Sequence, residues 1–273
     1  MPSVQSLTRA LDLLDHLADA GGRATLSELA AASGLPAASV HRLLATLVAQ
    51  GHVRREAGRR YALGPRLVRL GDVAGHVLGE GVGPVLRDLV ATTGESANLA
   101  GLDGDAAVYL AQAPSPHPMR MFTEVGRRVP LHATGVGKAL LVGMSPGDVE
   151  ALLARTGMPA RTPATLTGPD RLRAELGLAR ERGWVLDEGE QEVGVRCVAA
   201  PVPRAPTPCA VSVSGPAARF GPDEAEKAGP AVVAAAARLG EELAGVRDED
   251  PSEGHLGAAR SSDGALRSER GAP

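Results

Sequence analysis

The sequence contains few aromatic residues and little cysteine. Only five of its 273 residues are aromatic, and its two cysteines, Cys197 and Cys209, do not form a Cys-x-x-Cys pair. A structural zinc site needs closely spaced thiolate or imidazole ligands, so this spacing and the scattered histidines argue against a bound metal. Because aromatic side chains are so rare, we expect a core built from leucine, valine and alanine.

Long apolar segments are missing as well. No stretch suits a membrane span, and Met1 leads into a predicted helix without an apolar signal segment. Together with the rarity of cysteine, this predicts a cytoplasmic protein that does not enter the membrane. The segment Gly135-Val-Gly-Lys-Ala lacks the upstream glycine and the serine or threonine of a P-loop, so a nucleotide is not indicated and no cofactor is expected.

The first 64 residues show the periodicity of three helices. In the first helix, one face carries an apolar stripe that we expect to turn towards the core: Val4, Leu7, Leu11 and Leu14. Thr25 and Glu28 have the spacing of a capping box, which predicts a second helix from about Ser27 to Gly34. The third helix follows Pro36 and repeats apolar residues at helical spacing: Val40, Leu43, Leu44, Leu47 and Val48.

A small basic hairpin follows the third helix. Two short strands, 52–55 and 60–63, flank the turn Glu56-Ala-Gly-Arg, whose glycine supplies the backbone freedom of a tight turn. Residues 1–65 contain seven arginines, five carboxylates and no lysine, a net charge of +2, whereas the whole chain carries −3. Because phosphate binding needs a local basic patch, the acidic total does not argue against DNA.

The order of these elements is that of a winged helix-turn-helix, whose third helix fits the major groove of DNA. Similar modules also dock proteins, and a basic hairpin can be a plain solvated surface, but the order of cap, turn, helix and wing favours DNA. Because Ala37 and Ala38 carry no polar groups, we expect few direct base contacts and a contribution from DNA shape. The contacts predicted in these two elements come from Ala37, Ala38, Ser39, His41, Arg42, Arg59 and Arg60.

Several longer motifs resemble the IclR-type transcriptional regulators of bacteria. In the first half these are Val4-Gln-Ser-Leu-Thr-Arg-Ala-Leu, Leu35-Pro-Ala-Ala-Ser-Val-His-Arg-Leu-Leu-Ala-Thr-Leu and Arg60-Tyr-Ala-Leu-Gly. In the second half they are Pro130-Leu-His-Ala-Thr-Gly-Val-Gly-Lys-Ala-Leu-Leu, Gly183-Trp-Val-Leu-Asp-Glu-Gly-Glu and Val195-Arg-Cys-Val-Ala-Ala-Pro-Val. The resemblance covers roughly nine-tenths of the chain. Its first motif adds Gln5, Ser6 and Arg9 to the predicted DNA-contacting residues.

The length fits two domains, and the resemblance implies their type. We expect an α+β protein in which a winged helix-turn-helix domain, 1–64, is joined by a linker helix, 65–80, to a GAF-like α/β effector-binding domain, 81–247. Three closely spaced glycines, Gly79, Gly81 and Gly83, are expected to interrupt the helix at the junction. Residues 248–273 lack periodic apolar positions and are predicted to form a disordered tail.

The second domain is predicted to contain a central antiparallel sheet with helices around it. A hairpin is expected at Asp103-Gly104, followed by a strand at 119–123. The remaining predicted helices are 135–142, 148–155, 169–182 and 222 to about 243, and the remaining strands are 195–202 and 210–214.

Polar residues on predicted strands mark a candidate pocket for a small oxygen-rich molecule. Ser212 and Ser214 alternate along one strand and therefore point to the same face, and a small thiol, Cys197, lies on another strand. Free N–H groups where a helix starts favour a carboxylate, and Asp187 can accept a hydrogen bond. The resemblance implies the same effector-contacting set: Gly135, Val136, Asp187, Cys197, Ser212 and Ser214.

Each of these residues also has a plain structural interpretation. Gly135 and Gly137 can be packing glycines, Asp187 a turn residue at a strand end, Cys197 core filler, and the serines a solvent-facing row. Jointly, however, the residues favour a pocket.

Catalysis is the alternative class of function. His132, Asp187 and Cys197 are the residue types of a thiol hydrolase, but nothing in the sequence places them together, and a cysteine in an alternating strand is more often core. We therefore expect a protein that is not an enzyme and has no catalytic residues.

The sequence thus predicts a transcriptional regulator that binds a double-stranded operator. We favour a repressor over an activator. A small organic or aromatic acid is expected to modulate that binding, and two half-sites imply a homodimer or a dimer of dimers. A constitutive DNA-binding protein without an effector is a further alternative. The polar strand face argues against it.

Overall fold

The computed structural model describes residues 4–245, without the side chains of residues 76–80. The chain forms two compact units, Met1–Glu80 and Gly81–Pro273. The tail predicted at 248–273 lies outside the described residues. Among the helices within the described range, none is both long and apolar enough to cross a membrane.

The first unit is a three-helix module with a small sheet. Its elements in chain order are α1 (Gln5–Asp19), β1 (Arg23–Thr25), α2 (Leu26–Ser33), α3 (Ala37–Ala49), β2 (Val53–Glu56), a 3-10 turn (Ala57–Arg59) and β3 (Arg60–Leu63). The sheet is antiparallel in the order β1-β3-β2, so β2 and β3 form the predicted wing.

The predicted cap of α2 is confirmed. The Thr25 Oγ1 atom accepts a hydrogen bond from the Glu28 backbone N–H at 3.3 Å, and the Glu28 carboxylate accepts one from the Thr25 N–H at 2.7 Å. Gly34 ends the helix in the left-handed region at φ 66°, where the absence of a side chain avoids strain. These two local features fix the turn between α2 and α3.

The predicted orientation of α1 is wrong. Val4, Leu7 and Leu11 are exposed, at 65%, 59% and 51%, whereas Leu13 and Leu17 are fully buried in the core of the unit. Helix α1 carries two overlapping apolar stripes, and the core takes the one that extends towards its C-terminal end. Three apolar side chains near its start are therefore left largely exposed by the described residues.

The predicted break after the linker helix is also wrong. Residues Pro65–Thr93 form one continuous helix, α4, which includes residues of both units. An isolated glycine weakens a helix by only about 1 kcal/mol. Burial of Val82, Val85, Leu86 and Leu89 at helical spacing compensates for the glycines in its second part.

The described part of the second unit contains one antiparallel sheet and four further helices. Its elements are β4 (Ser96–Asp103), β5 (Ala106–Ala113), β6 (Arg128–Pro130), α5 (Gly135–Val142), α6 (Pro146–Thr156), α7 (Pro169–Arg182), β7 (Val185–Glu188), β8 (Val195–Pro201), β9 (Cys209–Pro216) and α8 (Pro222–Gly245). The strand order is β6-β5-β4-β9-β8-β7. The hairpin predicted at Asp103-Gly104 and the antiparallel sheet are confirmed, and β7 is an additional strand.

The strand predicted at 119–123 is absent, and this segment is a loop between β5 and β6. Prolines at 114, 116 and 118 lack the N–H groups that a strand ladder needs. Side chains hold the loop instead: the Ser96 hydroxyl donates to the Met121 carbonyl at 3.0 Å, and the Arg219 guanidinium donates to the Met119 carbonyl at 3.0 Å. The loop is therefore fixed by side-chain anchors rather than by sheet pairing.

Helix α5 packs closely on one face of the sheet. A Cβ atom added at Gly135 would lie 2.6 Å from the Cys197 Sγ atom, and one at Gly137 would lie 2.5 Å from the backbone of Leu131. Both positions therefore require glycine, as the packing interpretation proposes. Helix α8 contacts β8 and β9, and its Gly229 lies against the indole of Trp184.

Candidate functional site

The exposed face of α3 presents the predicted DNA-contacting residues of this helix. Ala37, Ala38, His41 and Arg42 are exposed, and Ser39 is half-buried. The apolar stripe of the same helix is buried in the core of the unit: Val40, Leu44 and Leu47. Arg42 forms no ion pair with any other residue in the described part of the chain, so its guanidinium is available to a partner.

The wing carries two arginines that contact neighbouring side chains and two that are exposed at its turn. Arg54 contacts the Glu56 carboxylate at 2.7 Å, and the Arg55 guanidinium lies 5.8 Å from the centre of the Tyr61 ring. Arg59 and Arg60 are exposed at the tip of the turn, and neither pairs with a carboxylate within residues 4–245. Arg59 adopts φ 61°, the left-handed conformation, next to Gly58 at φ 75°. The turn therefore presents its two cations outward.

The remaining predicted DNA contacts lie at the start of α1. Gln5 and Ser6 are exposed in its first turn, and Arg9 is half-buried one turn later. The helix N-terminus has no side-chain cap. Its first N–H groups are therefore open to an outside acceptor.

Strand register in the second unit brings polar side chains into a row across one sheet face. Ser96 pairs with Ser214, Ser214 with Cys197, and Cys197 with Asp187, across β4, β9, β8 and β7. Because side chains directly opposite one another share a face, these four groups point to the same side. All four residues are buried. Ser212 lies two residues along, in the next row, opposite Asn98.

A cavity of about 50 Å³ lies at this row. Four of the predicted effector residues line it: Gly135, Asp187, Cys197 and Ser214. Val136 and Ser212 do not, because Val136 packs in the apolar core and Ser212 lies one row behind.

Sequence reasoning missed most of the cavity wall. The further lining residues are Tyr109, Met121, Phe122, Thr123, Arg127, Val129, Thr134, Gln191, Glu192 and Val195. They come from β5, the loop before β6, β6 itself, the residue before α5, the loop between β7 and β8, and the first residue of β8. Thr134 was detectable as the capping residue of a helix that begins at Gly135, whereas Tyr109 and Arg127 carry no local signal.

The N-terminus of α5 is already supplied with acceptors. The Thr134 hydroxyl accepts a hydrogen bond from the Gly137 N–H at 3.1 Å and donates to the Pro130 carbonyl at 2.7 Å. Burial raises the pKa of Asp187, and the Gly135 N–H acts against that rise. A carboxylate of the protein itself therefore lies near the helix start at which a ligand's carboxylate was expected.

A buried cation lies behind the cavity. The Lys138 ammonium is fully buried, contacts the Glu190 carboxylate at 2.6 Å and donates to the Leu186 carbonyl. Burial nevertheless raises the pKa of Glu190, although Lys138 opposes that shift. Burial also raises the pKa of Asp187, against hydrogen bonds from backbone N–H groups that include Glu190 N–H at 2.8 Å.

The Cys197 thiol is not poised as a nucleophile. Burial and the neighbouring Asp187 raise its pKa to about 12, which the Ser214 and Ser212 hydroxyls counteract only in part. Thiolate chemistry needs a lowered pKa and a nearby base. His132 does not line the cavity, and its Nε2 atom lies 3.1 Å from the Pro159 carbonyl oxygen. The members of the hydrolase alternative are thus not assembled.

The described residues contain no group of three or more histidine, cysteine, aspartate or glutamate side chains that could hold a metal ion.

Comparison with known proteins identifies both units. Residues 6–57 match the model of the IclR helix-turn-helix domain, and residues 73–240 match that of the bacterial transcriptional regulator IclR C-terminal domain. The chain is 39% identical to the transcriptional repressor IclR of Escherichia coli over 89% of this chain and 92% of the relative.

Solved structures agree with this result. An IclR-type transcriptional regulator from Silicibacter sp. superposes with a TM-score of 0.79 at 32% identity, over 88% of this chain and 96% of that one. An IclR homologue from Microbacterium hydrocarbonoxydans, crystallised as a complex with 4-hydroxybenzoate, superposes with a TM-score of 0.67 at 24% identity, over 87% and 98% of the two chains. With two matching family models and a relative aligned over most of both chains, this chain belongs to the IclR family and is a DNA-binding transcriptional regulator.

Proposed function

We propose that this protein represses transcription from an operator and that a small organic acid modulates its binding to that DNA. The repressor named among its relatives supports the direction of control. The observation that carries the proposal is the cavity bounded by Ser214, Cys197 and Asp187, because a buried hydroxyl and a buried carboxylate are costly in a core made of leucine, valine and alanine. A binding site gives these polar groups a use.

DNA recognition is assigned to α3 and the wing. Helix α3 enters the major groove, where Arg42, His41 and Ser39 contact base edges and Ala37 and Ala38 allow the backbone to approach. Arg59 and Arg60 contact phosphates from the wing. Gln5, Ser6 and Arg9 contact phosphates from the start of α1.

The partner of the exposed stripe on α1 is a second copy of this chain. Val4, Leu7 and Leu11 are at least half exposed among the described residues of the chain. A two-fold axis would pack each stripe against the same stripe of the other copy and would place two recognition helices on two half-sites. We therefore propose a homodimer, which can pair further into a dimer of dimers.

The lining of the cavity indicates the effector class. A small cavity with both polar and apolar walls suits a small organic acid. The hydroxyl of Ser214 supplies a hydrogen bond, and Met121, Val129 and Val195 supply an apolar wall for the carbon chain. The acid must bind the DNA-competent and DNA-free states with different affinities, since equal affinity would shift neither population.

We also propose that the protein is not an enzyme. Its relatives are transcriptional regulators, and Cys197 has neither a lowered pKa nor a base beside it. A Cys197→Ser variant should therefore retain DNA binding.

DNA binding is tested by fluorescence anisotropy on the duplex that flanks the protein's own gene, compared with a shuffled duplex at the same ionic strength. Arg42→Ala should lose about 1–3 kcal/mol of operator affinity, the typical value of one base contact. Arg171→Ala, an exposed arginine of α7, is the matched control and should bind like the wild type. Equal affinity of the wild type for both duplexes would contradict the proposal.

The effector site is tested by calorimetry with acetate, glycolate and pyruvate. Ser214→Ala removes one cavity hydroxyl and should weaken binding of an acid that the wild type accepts. Ser27→Ala, which removes an exposed hydroxyl from α2, should change nothing. Unchanged affinity in Ser214→Ala would remove this serine from the site.

A further inference from the structure

A fixed carboxylate lies in the wall of the cavity. Asp187 is 5% exposed, and its Oδ1 atom accepts a hydrogen bond from the Glu190 N–H at 2.8 Å. Burial raises the pKa of this carboxyl, and the backbone N–H groups of Gly135 and Gly189 act against that rise. The hydrogen bond from the loop after β7 holds the side chain in place. An acid that enters the cavity meets this carboxylate.

Little positive charge is available to balance it. Lys138 is the buried cation nearby, and its ammonium already contacts the Glu190 carboxylate at 2.6 Å. Two buried carboxylates, Asp187 and Glu190, thus share one ammonium. On the cavity wall Arg127 is largely exposed, so its charge is hydrated.

Other titratable groups around Asp187 add no second buried cation. Glu175 of α7 faces Glu190 and pairs with Arg182 at 2.8 Å. The groups on the remaining elements around the cavity are Tyr109 on β5, Arg127 before β6, Glu192 after β7 and Cys197 on β8. His132, before α5, contacts the Pro159 carbonyl outside the cavity. A bound acid would therefore add a second negative charge beside Asp187.

We infer that a bound acid and Asp187 share one proton, so that each binding event takes up one proton from solution. This inference rests on the proposed function and specifies how the same site works. In the reaction, the acid anion, the ionised Asp187 and one solvent proton give a complex in which that proton lies between two carboxyl oxygens. Two carboxylates at hydrogen-bond distance cannot both stay ionised without a compensating cation.

Asp187, rather than Glu190, accepts the shared proton because of its position at the cavity. Asp187 lines the cavity, whereas Glu190 lies behind it against Lys138. Burial already raises the pKa of Asp187 in the free protein, and a second anion would raise it further. Between its pKa in the free protein and its higher pKa in the complex, affinity for the acid should fall about tenfold for each unit rise in pH.

The test measures proton uptake by calorimetry of the full chain. Acetate and pyruvate are titrated at one pH in two buffers with different ionisation enthalpies, and acetamide serves as the uncharged probe. The wild type should take up close to one proton with an acid and none with acetamide. Asp187→Asn keeps the acceptor oxygen but removes the charge, and it should bind the acid without proton uptake and without the fall in affinity at high pH.

Glu188→Gln is the matched control. Glu188 is the next residue on β7 and is 54% exposed. Its side chain lies on the strand face opposite to that of Asp187 and pairs with Arg196. Its removal should leave proton uptake unchanged.

Binding of an acid by the wild type without proton uptake would overturn the inference and leave the proposed function intact. Uptake that persists in Asp187→Asn and disappears in Glu190→Gln would also overturn it, by placing the proton on Glu190. If neither acid binds, while a neutral molecule binds and alters operator affinity, the inference fails and effector control stands. If Asp187→Asn does not fold, the wild-type difference between acetate and acetamide decides.

Discussion

The two halves of the chain place their polar recognition groups in opposite environments. In the DNA-binding unit, Arg42, Arg59 and Arg60 project from a small apolar core into solvent. In the second unit, Lys138 and Asp187 lie inside the core, beside the cavity. A surface that binds DNA, a large polyanion, can keep its charges hydrated until contact. A site for a small ligand must instead enclose the charged groups that bind it. Charge removal should therefore have very different consequences in the two units.

The largest expected effect is on stability at the buried ion pair. Lys138→Met leaves Glu190 buried without its counter-ion and should destabilise the second unit by about 3–5 kcal/mol. Removal of an exposed cation from the other unit, Arg42→Met, should change its unfolding by less than about 0.5 kcal/mol. Thermal and urea unfolding of the two variants measures both. A double variant, Lys138→Met with Glu190→Gln, should recover part of the lost free energy of unfolding. Similar unfolding of the two single variants would contradict the predicted difference between the units.

Within the DNA-binding unit, two leucines that differ in burial should respond differently to substitution by alanine. Leu44 is fully buried, and Leu44→Ala should cost about 2–5 kcal/mol of unfolding free energy. Leu7 is 59% exposed, so Leu7→Ala should leave unfolding nearly unchanged and should weaken self-association instead. Urea unfolding and sedimentation at several concentrations test the pair. If Leu7→Ala associates like the wild type, the proposed dimer stripe is wrong.

The loop beside the cavity should depend on one arginine. Arg219 contacts both oxygens of the buried Glu95 carboxylate, at 2.5 and 2.9 Å, and holds the Met119 carbonyl. Arg219→Ala should cost about 1–3 kcal/mol, the value of leaving a buried acceptor unsatisfied. It should also speed hydrogen exchange at residues 119–123 and weaken acid binding. Arg173→Ala, which breaks only exposed ion pairs, should cost less than about 1 kcal/mol and leave the loop unchanged.

The smallest expected effect is at the wing. Gly58 has φ 75° and open space at the Cβ position, so Gly58→Ala should cost about 1 kcal/mol from backbone strain alone. Operator affinity should fall with it, because the turn carries Arg59. Gly147→Ala, at an open helical position without positive φ, should be neutral or stabilising. Equal unfolding curves for the two variants would show that the wing turn is unstrained.

Local signals predicted the DNA-binding unit well. The capping box at Thr25 and Glu28, the glycine at 34 and the stripe on α3 each act within one or two turns of chain. The predicted orientation of α1 was wrong. Its two apolar stripes share Leu14, and only packing against the other helices decides which stripe is buried. Sequence periodicity cannot make that selection.

The cavity was predicted only in part. Alternation predicted that Ser212 and Ser214 share one face of a strand, and strand register then brought Cys197 and Asp187 beside Ser214. Tyr109 and Arg127 reach the same cavity from residues far away in sequence, through the pairing of β5 with its neighbours and through a loop without regular structure. The fixed position of that loop depends on Ser96 and Arg219, which no local pattern connects to it.

The central claim is that a small acid held in one unit changes how tightly the other binds DNA. Fluorescence anisotropy of the duplex beside the protein's own gene, titrated with protein in the presence and absence of saturating acetate, glycolate or pyruvate, measures it directly. At least one acid should change the operator Kd about 5- to 150-fold in the wild type, the usual range of coupling between two sites, and much less in Ser214→Ala. The same operator Kd with and without every acid that binds would contradict the account.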